Sequence, residues 1–146
     1  MNATYDRQAL EAELTRDEDN VPYAYQDSLG YLTIGIGHLI DKRKGGKLRP
    51  EVIDLIFELD IQDVEADLDR NLTWWRNLSP VRQRVLLNMC FNMGIGTLLT
   101  FKNTLVAMQN GSYAAAAAGM LASRWATQVG DRAERLAEMM RSGVAP

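Results

Sequence analysis

Glu18, Asp27 and Thr33 are the side chains whose types and spacing could do chemistry. Eight residues separate the two acids, and five separate Asp27 from Thr33. Two carboxylates on separate elements can face each other across a cleft, and a hydroxyl near the second can hold a water. Acid–base hydrolysis of a glycosidic bond needs that equipment. One acid gives a proton to the leaving oxygen, and the other draws a proton from a water on the opposite face of the sugar. Glu18 alone, between Asp17 and Asp19, would read as a solvated helix end; the three residues together carry the chemical reading.

The elements that must position these residues follow from the pattern. Residues from Tyr5 to about Asp17 read as a helix with a weak apolar face at Leu10 and Leu14. The second half of the chain is its expected packing partner. Pro22 stops the helix, since proline lacks a backbone donor and restricts the residue before it. Tyr23 and Tyr25 then alternate, residues 27–30 read as a turn, and Leu32, Ile34 and Ile36 alternate with Tyr31, Thr33 and Gly35. Glu18 is thus expected at a helix end, with Asp27 and Thr33 on or beside a small sheet. The basic run 41–47 reads as a solvated connection, and neither it nor Gly35-Ile36-Gly37 forms a phosphate-binding signature.

Residues 50–72 read as one long helix with Pro50 at its first position. Ile53, Phe57, Ile61, Val64, Leu68 and Leu72 make one apolar stripe; Val52, Leu55, Ile56 and Leu59 make a second in the first half only. A helix apolar on two sides at one end reads as a connector of two lobes. Asp60 projects between Ile56 and Ile53, where a carboxylate needs a partner, and His38, the sole histidine, is the candidate. Trp74 and Trp75 stack on sugar rings or pack at a helix junction. Ser79 and Pro80 start a further helix that is apolar nearly all round over 85–93, the expected centre of its lobe. Asn88 and Asn92 interrupt it; Asn92 is either a satisfied core amide or a cleft residue. Residues 94–97 stop this helix, and 98–101, 102–109, 113–121 and 131–141 read as short helices.

The run Gly30-Tyr31-Leu32-Thr33-Ile34-Gly35-Ile36-Gly37-His38, with Glu18 and Asp27 ahead of it, resembles the catalytic signature of phage-type lysozymes, best known from the T-even phages. Residues 81–84, 91–94, 101–104 and 123–125, with Arg132, are similar to that family's larger lobe, so the resemblance covers nearly the whole chain. It implies a mostly helical α+β, two-lobed fold, with a small antiparallel sheet in the N-terminal lobe, a helical C-terminal lobe and a long helix joining them. The chain would be a single domain over 1–146, with lobes of about 13–60 and of 1–12 with 61–146. The implied activity is that of an endolysin: hydrolysis of the β-1,4 bond between N-acetylmuramic acid and N-acetylglucosamine in bacterial peptidoglycan.

In that reading Glu18 is the acid, Asp27 the base and Thr33 a holder of the water. The mechanism is inverting, which requires carboxyl groups roughly 6.5–9.5 Å apart. Leu39, Phe91, Asn92 and Thr104 match positions that line the saccharide groove, although Phe91 fits a core place and Leu39 a sheet cap equally well. The family pairs a histidine after the Gly-Ile-Gly run with an aspartate on the long helix, which makes His38 and Asp60 a structural pair. Catalysis by His38 as a base ranks second. Arg132 matches an arginine beside the catalytic glutamate; it acts on that acid or only holds the lobes closed. Gly119 stands near a place where the family carries an asparagine, and removes that hydrogen bond. Two competing readings are a non-catalytic peptidoglycan-binding module, which would usually lose an acid, and a lytic transglycosylase, which would leave Asp27 and Thr33 without a task.

Composition sets the remaining expectations. At 146 residues, with 47% hydrophobic and 24% charged, the chain suits one soluble domain. No apolar run spans a membrane and the N-terminus lacks the features of a secretory signal. Synthesis in the host cytoplasm follows, with release to the wall depending on a separate membrane-permeabilising protein, a holin, unless the enzyme travels in a virion. A monomer is expected, with no cofactor, metal or nucleic acid. Cys90 is the only cysteine, which excludes an internal disulfide and suggests a buried thiol. Residues 1–73 carry 8 Lys and Arg against 16 Asp and Glu, whereas 74–146 carry 8 against 3. The basic half faces an anionic polymer, or the two halves simply attract.

Overall fold

The computed structural model describes residues 6–41, 43 and 46–146. The chain is α+β and mostly helical, with a three-stranded antiparallel sheet near the N-terminus, as expected. Two compact units divide at Leu55, the second being Ile56–Pro146.

In the first unit, α1 (Arg7–Glu18) begins at Asp6, whose side chain accepts from the backbone N–H of Gln8 and Ala9. Tyr5, the expected first residue, lies outside the described residues, as do Lys42, Lys44 and Gly45 of the basic run. Asp19 ends the helix with φ 62° and ψ 170°, a region that side chains rarely enter, and turns the chain sharply into the sheet. Strands β1 (Val21–Gln26), β2 (Leu32–Gly35) and β3 (His38–Leu39) follow, with β2 central. Thr33 stands opposite Tyr25 on one side and Leu39 on the other.

Helix α2 (Pro50–Asn71) runs from the first unit into the second. Its apolar stripe divides: Leu68 and Leu72 are core residues and Val64 packs on that core, whereas Ile53 and Phe57 are exposed. A single 3₁₀ turn at Trp75–Asn77 leads to α3 (Pro80–Met93), where Ser79 accepts from Arg82 N–H and Pro80 takes the first position. Trp75 is buried and Trp74 half-buried against the core, which decides that pair for packing. The expectation that α3 is surrounded on all sides needs correction. Val85, Leu86, Met89 and Cys90 are buried, but Phe91 is 47% exposed.

The remaining helices are α4 (Ile95–Leu98), α5 (Lys102–Gln109), α6 (Tyr113–Leu121), α7 (Arg124–Val129) and α8 (Asp131–Ser142). Two departures from the sequence reading have local causes. Gly94, at φ 81°, changes the chain direction after α3, and helix resumes at once as α4 where a longer break was expected. Ser123 caps the unanticipated α7 by accepting from Ala126 N–H at 3.2 Å, a short serine-led helix beneath the length at which apolar periodicity shows. Arg82 closes the end of α8: its guanidinium donates to the carbonyls of Met140 and Arg141 and lies over the Tyr113 ring. Among the described residues no helix is long and apolar enough to cross a membrane.

Candidate active site

The ladder between β1 and β2 builds the centre of the site. Its pairs are Val21 with Gly35, Tyr25 with Thr33 and Gln26 with Leu32. It continues one step beyond the strands, because Asp27 N–H donates to the Tyr31 carbonyl at 2.8 Å. Side chains alternate between faces along a strand, so Asp27, Tyr25, Thr33 and Leu39 leave the same face. Asp27 and Thr33 are diagonal neighbours there. His38, opposite Ile34, belongs to the other face and is exposed.

The turn residues fix the orientation of Asp27. Its Oδ1 accepts from Leu29 N–H and from Tyr31 N–H, each at 2.9 Å, and its carbonyl accepts from Gly30 N–H. Both side-chain bonds go to Oδ1, which leaves Oδ2 outside the turn. Aspartate suits this place because a short acceptor can bond the backbone two to four residues on. Thr33 is buried at 6% exposure, the one buried residue of the first unit among those described. Its hydroxyl donates to the Tyr31 carbonyl at 3.3 Å, so the oxygen's lone pairs remain for an incoming donor.

Glu18 is the last residue of α1 and is exposed. Its side chain lies over Gly37, in the turn between β2 and β3. Glu18, Asp27, Thr33, His38 and Leu39 therefore all stand in the first unit.

The other expected site residues are in the second unit, in four settings. Asp60 is exposed on α2. Phe91 and Arg132 share a depression with Phe57, Ile61, Leu87 and Asn88, where Arg132 Nε donates to Asn88 Oδ1 at 2.9 Å. Asn92 is exposed, and its Oδ1 accepts from the indole of Trp125 at 2.8 Å, which points its amide nitrogen elsewhere. Thr104 is buried at 7% exposure and lines a groove with Lys102, Arg124 and Trp125. Gly119 sits directly beneath its hydroxyl, which occupies the space a side chain at 119 would need.

Sequence reasoning missed the contacts of Gly37 with Glu18, of Asn88 with Arg132 and of Trp125 with Asn92. The four-residue spacing of Asn88 and Asn92 was visible, but their partners lie 44 and 33 residues away and left no local signal. Among the described residues no group of three His, Cys, Asp or Glu side chains is placed to hold a metal ion.

A helix-rich α+β chain with a carboxylate-bearing hairpin beside a helix-terminal glutamate has the makings of a glycoside hydrolase. The chain belongs to the phage lysozyme family, whose profile matches residues 16–141, and is a glycoside hydrolase of the lysozyme class. It is 30% identical to a probable T4-type lysozyme of Dictyostelium discoideum, over 89% of this chain and 92% of that protein. It is also 30% identical to the pre-baseplate central spike protein of Enterobacteria phage T4, over 89% of this chain but 27% of the spike protein. A peptidoglycan hydrolase of Pseudomonas phage phiKMV is 29% identical, over 88% of this chain and 14% of that protein.

Proposed function

We propose that this lysozyme is an endolysin that cleaves the β-1,4 bond between N-acetylmuramic acid and N-acetylglucosamine with inversion. Glu18 protonates the leaving oxygen. Asp27 Oδ2 takes a proton from a water, whose oxygen attacks the anomeric carbon from the opposite face of the ring. Thr33 accepts the water's other hydrogen. The observation that carries this reading is the shared sheet face of Asp27 and Thr33, with Oδ1 of Asp27 tied into the turn and Oδ2 left out of it. Leu39, Phe91, Asn92 and Thr104 bind the saccharide. Phe91 and Leu39 are exposed, which suits sugar contact better than a core place.

In this reading Arg132, His38 and Asp60 have supporting roles. Asp60 is exposed, so burial does not by itself demand a partner for its carboxylate. The enzyme acts as a monomer on wall peptidoglycan, made in the host cytoplasm and released by a holin. Carriage in the virion is the second reading, favoured by the likeness to a spike protein over about a quarter of the latter's length. Finding the chain in purified virions decides for it.

Digestion of purified peptidoglycan tests the chemistry. Hydrolysed N-acetylmuramic acid ends, born with inverted anomeric configuration, are expected. Anhydro ends would mean a transglycosylase, and no product a binding module. Glu18→Gln should abolish turnover and keep the fold, and full activity in that variant would remove Glu18 from the acid's role. Arg132→Ala should move the limb of the pH–rate profile that reports the acid; a fixed limb would leave Arg132 a structural task alone.

A further inference from the structure

We propose that Gly37 is a positioning residue for Glu18, and that the absence of a side chain at 37 holds the carboxyl in its working place. This rests on the reading of Glu18 as the acid. Gly37 has φ 63° and lies in the two-residue turn between β2 and β3. A Cβ built there would come within 2.8 Å of Glu18 Cγ and within 2.9 Å of both Cβ and Cδ. Real Cβ atoms do not approach other carbons so closely. The contact runs along the root of the glutamate, not only its tip, and that decides the consequence. Rotation about the side-chain bonds can carry Cγ and Cδ away, but Glu18 Cβ is fixed by the last turn of α1. Relief would therefore need a displacement of the helix end or of the β2–β3 turn, on top of a rotated carboxyl.

Gly35 supplies the control. It stands two residues earlier, with nearly the same backbone conformation at φ 65°, and a Cβ there meets nothing within 4 Å. Alanine at 35 reports the cost of a side chain in the left-handed region alone. Alanine at 37 adds the collision with Glu18.

The test compares Gly37→Ala with Gly35→Ala on purified peptidoglycan. Gly37→Ala should lower kcat by about 10²-fold with KM little changed, since small misplacement of a reacting group has effects of that size. The limb of its pH–rate profile that reports the acid should also move. Gly35→Ala should keep kcat near the parent value. Equal kcat in the two variants would overturn the proposal. A stability cycle makes a second, activity-free reading. The excess loss of Tm in Gly37→Ala over Gly35→Ala should shrink when Glu18 is also replaced by alanine, which removes Cγ and Cδ. If Gly37→Ala fails to fold, the double variant Glu18→Gly/Gly37→Ala, which removes Cβ as well as Cγ and Cδ, should recover folding, and a double variant that fails equally overturns the contact. Glu18→Gln separates the two levels. Turnover retained in Glu18→Gln would sink the acid reading, whereas an inactive Glu18→Gln beside a fully active Gly37→Ala would sink only the role of Gly37.

Discussion

The two units of this lysozyme hold themselves together by different means. Every buried hydrophobic side chain among the described residues lies between Leu68 and Met140, in the second unit. Helix α1 buries none of its residues, and Thr33 is the one buried side chain of the first unit among those described. Yet the two acids and the threonine stand in that first unit. Their geometry comes from backbone hydrogen bonds to Asp27, from a strand register and from a side-chain-free contact at Gly37. Burial makes a unit hard to open; short-range bonds of this kind aim a side chain without adding much stability. Chemistry and stability should thus respond to different substitutions.

The sharpest division is expected at Asp27. Asp27→Asn keeps a carbonyl oxygen to accept from Leu29 and Tyr31 but removes the charge. Turnover should fall by about 10²–10⁴-fold, the usual contribution of one acid–base group, with Tm nearly unchanged. Asp27→Ala should lose as much activity and, in addition, about 1 kcal/mol of stability as the turn's acceptor disappears. If Asn and Ala lower Tm equally, the turn does not depend on Oδ1.

The converse lies in the second unit. Trp75 is 2% exposed, its indole donates to Asp69 at 2.7 Å and the Arg76 guanidinium stacks on its ring. Trp75→Ala should cost about 3–5 kcal/mol, read by denaturant unfolding, while kcat of the still-folded fraction stays near the parent value. Leu14→Ala on α1, where the side chain is 43% exposed, should stay within about 0.5 kcal/mol. A large loss from Leu14→Ala would erase the contrast between the units.

What the sequence disclosed follows the same division. The long α2, the caps at Ser79 and Pro80 and the helices at 102–109 and 113–121 were legible because apolar periodicity and cap chemistry are local. The turn at Asp27 was legible for the same reason. Orientation on a helix was not. Phe91 sits among apolar neighbours, yet faces outward, since which side a nearly all-apolar helix buries depends on what packs against it. The bonds from Trp125 to Asn92 and from Arg132 to Asn88 join distant segments and carry no spacing rule. Gly37 stood out in the sequence only as part of a run without a phosphate-binding signature; the position of Glu18 above it shows what a side chain there would meet.

Acid titration supplies the smallest test. The Arg76 guanidinium, and after it the Trp75 indole, hold the Asp69 carboxyl below its ordinary 3.8. Arg43 does the same for Asp41 in the first unit. A carboxylate depressed in the folded state is taken up by protons first in the unfolded chain. Its stabilisation is present above pH 3.8 and is lost as pH falls from there through the lower folded value. Asp69→Asn and Asp41→Asn should therefore each flatten the fall of stability with acid, by lowering stability a little at neutral pH and leaving it unchanged where the parent carboxylate is protonated; the loss is small at Asp69 because that pair is half open to solvent. The effects should differ in size. Asp41 and Arg43 are two residues apart and stay close in an unfolded chain, so the shift partly survives unfolding and cancels. Asp69 meets Trp75 and Arg76 only when α2 and the 3₁₀ turn after it are both formed. Unfolding measured from pH 5 to pH 2 should show the larger flattening for Asp69→Asn, and equal slopes for the two variants would mean that the Asp69 cluster survives in the unfolded chain as well.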